Sequence, residues 1–162
     1  MSEVWQLRVP RVYVDTSVFG GLFDEEFARV TETFFEAMRD GRFILVTSGL
    51  VEKEMTSAPS HVRELFEELS ENAEIVQVTD EALALRDAYL NFGIVAEQSL
   101  ADALHVALAT AADCDLIVSW NFKHIVNFRK IQQYNAVNAL QGYGSIAIYS
   151  PLEVVDSEDQ DV

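Results

Sequence analysis

The chain has 162 residues, 49% of them hydrophobic, which is enough for one well-cored domain and short for two. A formal charge of −16 excludes a generic nucleic-acid binder, because non-specific affinity for phosphate backbones comes from Lys and Arg displacing counterions. No apolar run reaches membrane-spanning length, residues 1–10 lack the basic start and apolar centre of a secretory signal, and Cys114 is the only cysteine; a cytoplasmic protein without membrane contact or intrachain disulfide is expected.

In chain order, residues 11–15 form a β-branched and aromatic run that ends on Asp15. Thr16, Ser17 and the pair Gly20-Gly21 follow, which predicts a first strand leading into a tight turn. An Asp at this point also serves as the N-cap of a following helix. From 24 to 39, Phe27, Val30, Phe34 and Met38 make a helical stripe, with Gly41 as its stop. Residues 43–46 predict a second buried strand. Thr47 and Ser48 then open a helix that carries Leu50, Val51 and Met55, with Glu52 and Glu54 in its early turns. Pro59, Val62, Leu65, Phe66 and Leu69 mark a third helix, and residues 74–78 a strand near a sheet edge. Thr79 caps a helix holding Leu83, Leu85, Ala88 and Leu90, ended by Gly93.

Leu100, Leu104 and Leu108, with Ala103 and Ala107 beside them, recur at helical spacing behind Ser99, a good N-cap residue. Asp102 lies in the first turn of this mostly buried helix. Ser99 and Asp102 also fit a capping box, in which the acid does no more than satisfy a free backbone N–H. Leu116, Ile117 and Val118 form a short apolar strand, and Ser119, Trp120 and Asn121 follow where it ends. A helix with Phe128, Ile131, Tyr134, Val137 and Leu140 closes at Gly142, and a last strand over 146–149 stops at Pro151. The domain is expected over residues 1–152, with residues 1–10 as an N-terminal arm and residues 153–162 as an acidic tail.

Strands and helices alternate throughout, which predicts an α/β protein: a three-layer α/β/α sandwich around a mainly parallel sheet. In such sheets ligands bind beyond the carboxyl ends of the strands. Asp15, a glutamate of the helix after strand two, Asp102 and Asn121 all stand at strand or helix ends. Oxygen donors of this kind suit a hard cation such as Mg²⁺ or Mn²⁺. His105, one turn beyond Asp102, reads as a core histidine, and Lys123 with His124 as a solvated loop.

The runs Val12-Tyr13-Val14-Asp15-Thr16-Ser17, Thr47-Ser48-Gly49-Leu50-Val51-Glu52-Lys53-Glu54-Met55, Ala101-Asp102-Ala103-Leu104-His105-Val106-Ala107 and Ile117-Val118-Ser119-Trp120-Asn121 together resemble the PIN-domain nucleases, and within them the VapC-like toxins. The resemblance extends to the closing Ile148-Tyr149-Ser150-Pro151-Leu152-Glu153. It implies an Mg²⁺- or Mn²⁺-dependent endoribonuclease with Asp15, Glu54 and Asp102 as catalytic acids, Glu52 being the rival for the second place. Metal would be held by Asp15, Asp102 and Asn121. An Asn stands where the family usually has an Asp, so this ligand brings no charge. Thr16, Ser17 and Ser119 would orient carboxylates or waters, and Lys123 would meet substrate. The implied partners are RNA, an antitoxin protein and a second copy of the chain. A catalytically silent PIN-like binding module and an Mg²⁺-binding phosphoacceptor domain are the alternatives; the second would want an acid beside Asp15 and a Lys beyond a late strand.

Overall fold

The computed structural model describes residues 8–159. Five strands, β1 (Arg11–Val14), β2 (Ile44–Ser48), β3 (Glu74–Val76), β4 (Leu116–Val118) and β5 (Ala147–Tyr149), form one sheet in the order β3-β2-β1-β4-β5, parallel at every pairing. Central β1 is flanked by β2 and β4, with Tyr13 opposite both Val46 and Ile117. Val12, Tyr13 and Val14 are accordingly fully buried. Residues 74–78 were expected near an edge, and β3 is an edge strand.

The helices are α1 (Thr16–Gly21), α2 (Ala28–Arg39), α3 (Gly49–Met55), α4 (Ser60–Ser70), α5 (Asp80–Asn91), α6 (Leu100–Ala111), α7 (Phe128–Leu140) and α8 (Pro151–Asp159), with a single 3₁₀ turn, Glu97–Ser99, before α6. Right-handed crossovers put α1 to α4 on one face, because the chain there steps from β1 outward to β3. The return across β1 to β4 and β5 puts α5 to α7 on the other. Aromatic rings fill the first face: Phe19 lies 5.5 Å from Phe35 and 5.3 Å, edge to face, from Phe66. On the second, α5 packs on α6 and α7, and the Tyr89 hydroxyl donates to Asn138, whose amide donates to Thr110 at 3.5 Å. Cys114 is buried among the core residues and its thiol is pushed up to about 11 by that burial, so it packs rather than reacts.

The expected stop signals at Gly41, Gly93 and Gly142 all have φ near +80°, between +78° and +87°, the left-handed conformation in which a helix end turns away from its axis. Ser48 and Thr79 cap as expected: Ser48 Oγ accepts from the Val51 N–H at 3.2 Å and Thr79 Oγ1 from the Ala82 N–H at 3.1 Å.

Three expectations change. The stretch behind Asp15 is the helix α1 rather than a tight turn, with both glycines in its last turn. Residues 151–159 form α8, in which Pro151 is the first residue and Val155 is buried, so the helix docks beside α2 where a polar tail was expected. In α7 the buried stripe is Tyr134, Val137 and Asn138, while Phe128 and Leu140 at its two ends are exposed. The expected N-terminal arm falls largely on residues 1–7, outside the described residues, as do residues 160–162.

Thr47, on β2, is fully buried and its hydroxyl has no hydrogen-bond partner among the described residues. Thr47→Val removes that unpaired hydroxyl at nearly constant shape. It is expected to raise stability by about 1 kcal/mol, read as a higher urea midpoint at unchanged slope.

Candidate active site

β1 and β4 lie side by side, and the chain leaves them in opposite directions, to β2 and to β5. The crevice beyond their carboxyl ends is the switch point of the sheet. Asp15 is the residue that follows β1. Its N–H bonds the Val118 carbonyl at 3.3 Å, which ties it to the end of β4. Asp15 is the N-cap residue of α1, but its carboxylate does not cap; it accepts from Ser17 Oγ at 2.6 Å and from Ser119 Oγ at 2.8 Å, one hydroxyl on each oxygen. Each hydroxyl is in turn fixed by an N–H that it accepts, Trp120's for Ser17 at 3.0 Å and Asn121's for Ser119 at 2.9 Å.

Asp15 is 3% exposed, and burial raises its carboxyl above the usual range. His105, when its ring is protonated, and the two serine hydroxyls pull it back, and the charge of Glu54 adds to the rise. A carboxylate held in this way favours a positive charge beside it.

Glu54 comes from the last turn of α3. Its Oε1 accepts from Thr16 Oγ1 at 2.5 Å and from His105 Nε2 at 2.8 Å. Burial works to raise this carboxyl, but the His105 bond, the His105 charge when the ring is protonated, and the Thr16 bond outweigh it, so the net direction is downward. Its rival Glu52 is exposed on the opposite side of α3. Thr16, Ser17 and Ser119 therefore all bond a carboxylate.

Asp102 sits half-buried in the first turn of α6. Ser99 makes no side-chain cap there; its hydroxyl lies 3.3 Å from His124 Nε2, so the capping box does not form. The charge of Asp102 reaches Tyr134, where it adds to burial in raising the phenol. Asn121 Oδ1 accepts from the His124 N–H at 3.0 Å and so shapes its own loop, with one lone pair left over. Lys123 is exposed.

His105 and Tyr13 are the residues that sequence reasoning undervalued. His105 is 3% exposed on α6, and its Nδ1 lies 2.7 Å from the Tyr13 hydroxyl, which lies 2.8 Å from Ser48 Oγ. The available signal was a polar atom on each of two residues assigned to an apolar core, where such atoms need partners.

Asp15, a buried carboxylate with both oxygens oriented, and the half-buried oxygen donors Asp102 and Asn121 fit an ion such as Mg²⁺ that keeps several waters and takes one or two carboxylates. They do not fit an ion caged by protein alone. Among the described residues, no three His, Cys, Asp or Glu side chains gather into a group able to hold a metal.

An open parallel sheet with carboxylates at its switch point defines a class of α/β proteins. Within that class, a family model described as PIN domain matches residues 12–125, and the chain belongs to the PIN-domain family. No curated protein sequence matches it. Among solved structures, a chain of VapBC2 from Rickettsia felis, bound to a DNA fragment from its promoter, is similar with TM-score 0.57 at 11% identity, covering 86% of this chain and 98% of that one. Mycobacterium tuberculosis VapC20, described as a Sarcin-Ricin loop cleaving toxin, gives 0.55 at 14% identity over 84% of this chain and 98% of its own. A chain of FitAcB from Neisseria gonorrhoeae gives 0.54 at 12% identity over 87% and 98%. At these identities the likeness is one of fold.

Trp120 links the site to the core. Its indole N–H donates to Thr31 at 2.9 Å, and its ring stacks on Phe27 at 4.2 Å. This seat exists because Gly21 has no side chain: a Cβ there would stand 2.7 Å from the indole and 3.0 Å from the Thr31 hydroxyl. Gly21→Ala is expected to cost about 1–3 kcal/mol by overpacking, measured by urea unfolding.

Proposed function

We propose that this PIN domain is an Mg²⁺- or Mn²⁺-dependent endoribonuclease and the toxin member of a toxin–antitoxin pair. The observation that carries the reading is Asp15, a buried carboxylate gripped by two hydroxyls at the switch point of the sheet, with Glu54 fixed beside it by Thr16 and His105. Support for the toxin half comes from the fold neighbours, which include a toxin described by its cleavage of the Sarcin-Ricin loop and chains from the VapBC2 and FitAcB assemblies. The neighbours from VapBC2 and FitAcB favour an antitoxin protein as partner, and as a PIN-domain family member the chain is proposed to pair with a second copy of itself in the cytoplasm.

In this reading Asp15, Asp102 and Asn121 would hold the cation. When bound, it supplies a water of lowered pKa and positive charge toward the phosphate. Asp15 contributes an oriented anionic oxygen pair that its two serines keep from rotating. Glu54 receives the proton of the attacking water, with Oε1 already engaged and Oε2 without a partner among the described residues. Asp102 adds charge from the α6 side. The cation also reconciles the acidic surface with an anionic substrate, since a formal charge of −16 otherwise repels RNA.

The testing experiment incubates purified protein with several structured and unstructured RNAs, in Mn²⁺ and in EDTA. Cleavage only with Mn²⁺ supports the nuclease. A silent binding module, which the uncharged Asn121 favours, gives none with either.

Mn²⁺ is also expected to raise the melting temperature. At about 100 times its Kd, a ligand bound only by the native state adds about 2.7 kcal/mol, which for a chain of this size is roughly 5–10 °C. Asp15→Asn should flatten that response. An equal rise in both proteins would assign the effect to the acidic surface at large.

A further inference from the structure

Ser48, Tyr13, His105 and Glu54 form a continuous line of hydrogen bonds, with spacings of 2.8, 2.7 and 2.8 Å. Ser48 and Tyr13 are fully buried and His105 nearly so, so every proton in the line needs an acceptor inside the protein. Ser48 Oγ already accepts the Val51 N–H at 3.2 Å. Its own proton then goes to the Tyr13 oxygen. Tyr13 therefore spends its proton on His105 Nδ1, and the imidazole proton sits on Nε2, aimed at Glu54. The reverse direction would leave the Ser48 hydroxyl proton buried without an acceptor among the described residues. Only one direction satisfies the whole line, and it starts from the N-cap of α3, the helix that carries Glu54 at its other end.

Both bonds to Glu54, from His105 and from Thr16, land on the same oxygen, Oε1. A carboxylate pinned through one oxygen by two donors, from α6 and from α1, has its plane fixed, and its second oxygen has no partner among the described residues. The geometry points to His105 as the positioning residue of the site, locked by Tyr13 in the Nε2–H tautomer so that Glu54 presents Oε2 to the reacting water. This assignment rests on the nuclease reading for its catalytic consequence, but the tautomer itself does not depend on it.

Imidazole ¹⁵N NMR of the metal-free protein tests the first half, with a protonated Nε2 and a bare, hydrogen-bonded Nδ1 expected for His105. Tyr13→Phe should release the lock, so that the Nδ1 resonance moves toward that of an unbonded nitrogen. A proton on Nδ1 in the wild type overturns the proposal, whether or not RNA is cleaved. Steady-state cleavage tests the second half. His105→Ala is expected to lower kcat about 10–100-fold, the usual cost of removing a group that orients an active-site ligand, with KM for RNA nearly unchanged. His105→Gln, whose amide N–H can reach Glu54, should recover most of that loss. Thermal melts of both variants separate positioning from packing. If Ala and Gln lose kcat equally at equal stability, or if the loss lies in KM, His105 is a core residue only. A wild type that cleaves nothing while the NMR pattern holds rejects the nuclease reading and leaves the hydrogen-bond lock standing.

Discussion

Asp15→Asn is expected to lower Mn²⁺-dependent RNA cleavage by about 10²–10³-fold, the range seen when one preorganised electrostatic contact to the transition state is removed. Asparagine nearly matches the shape of aspartate but not its acceptors. Ser17 and Ser119 each donate to one carboxylate oxygen, and an amide offers a single oxygen, so one hydroxyl must turn away to meet an NH₂. The variant loses both the charge and the orientation that two serines impose. Its fold should survive, because burial already disfavours the charged form of Asp15 and removing that charge relieves the metal-free protein. The expected signature is therefore a melting temperature in EDTA equal to or above that of the wild type, with activity near background. Asp102→Asn should abolish cleavage as well, through lost charge. Asn121→Asp should strengthen it, since an Asp keeps the acceptor for the His124 N–H and restores the charge that position 121 lacks. Wild-type cleavage no greater than that of Asp102→Asn would end the nuclease reading.

The sheet was legible because burial writes itself into short sequences. Val12 to Val14, and Ile117 with Val118, are short runs covered on both faces, and the left-handed glycines at 41, 93 and 142 mark helix ends. The acid at the end of β1 was legible for the same reason, since a strand's end can be read without knowing its neighbours. Partners distant in the chain were not legible. Tyr13 and His105 are 92 positions apart, and each looks like core filling until the parallel sheet stacks α6 over β1. Gly21 resembled a turn signal, whereas its lack of a side chain is required by an indole from the end of β4. Ser99 looked like half of a capping box, yet its hydroxyl meets His124 from the loop after β4. In each case a local rule gave way to a contact that only the fold creates.

The largest stability effect is expected at Phe19, where Phe19→Ala should cost about 3–5 kcal/mol, within the range for emptying a fully buried phenylalanine site. Phe19 is fully buried, and its ring meets Phe35 of α2 and Phe66 of α4, so the truncation unseats two helices at once. Domains of this size hold roughly 5–15 kcal/mol in total, so the variant should sit near the edge of folding at 37 °C. Phe19 also anchors α1, whose first two residues, Thr16 and Ser17, hold Glu54 and Asp15. Stability and site should therefore fail together. Urea unfolding measures the first, and Mn²⁺ affinity by titration calorimetry, at a temperature below the unfolding range, measures the second. Phe19→Leu keeps most of the volume and should recover most of both. A Phe19→Ala protein as stable as the wild type would mean that α1 is held by its hydrogen bonds to the carboxylates rather than by the aromatic core.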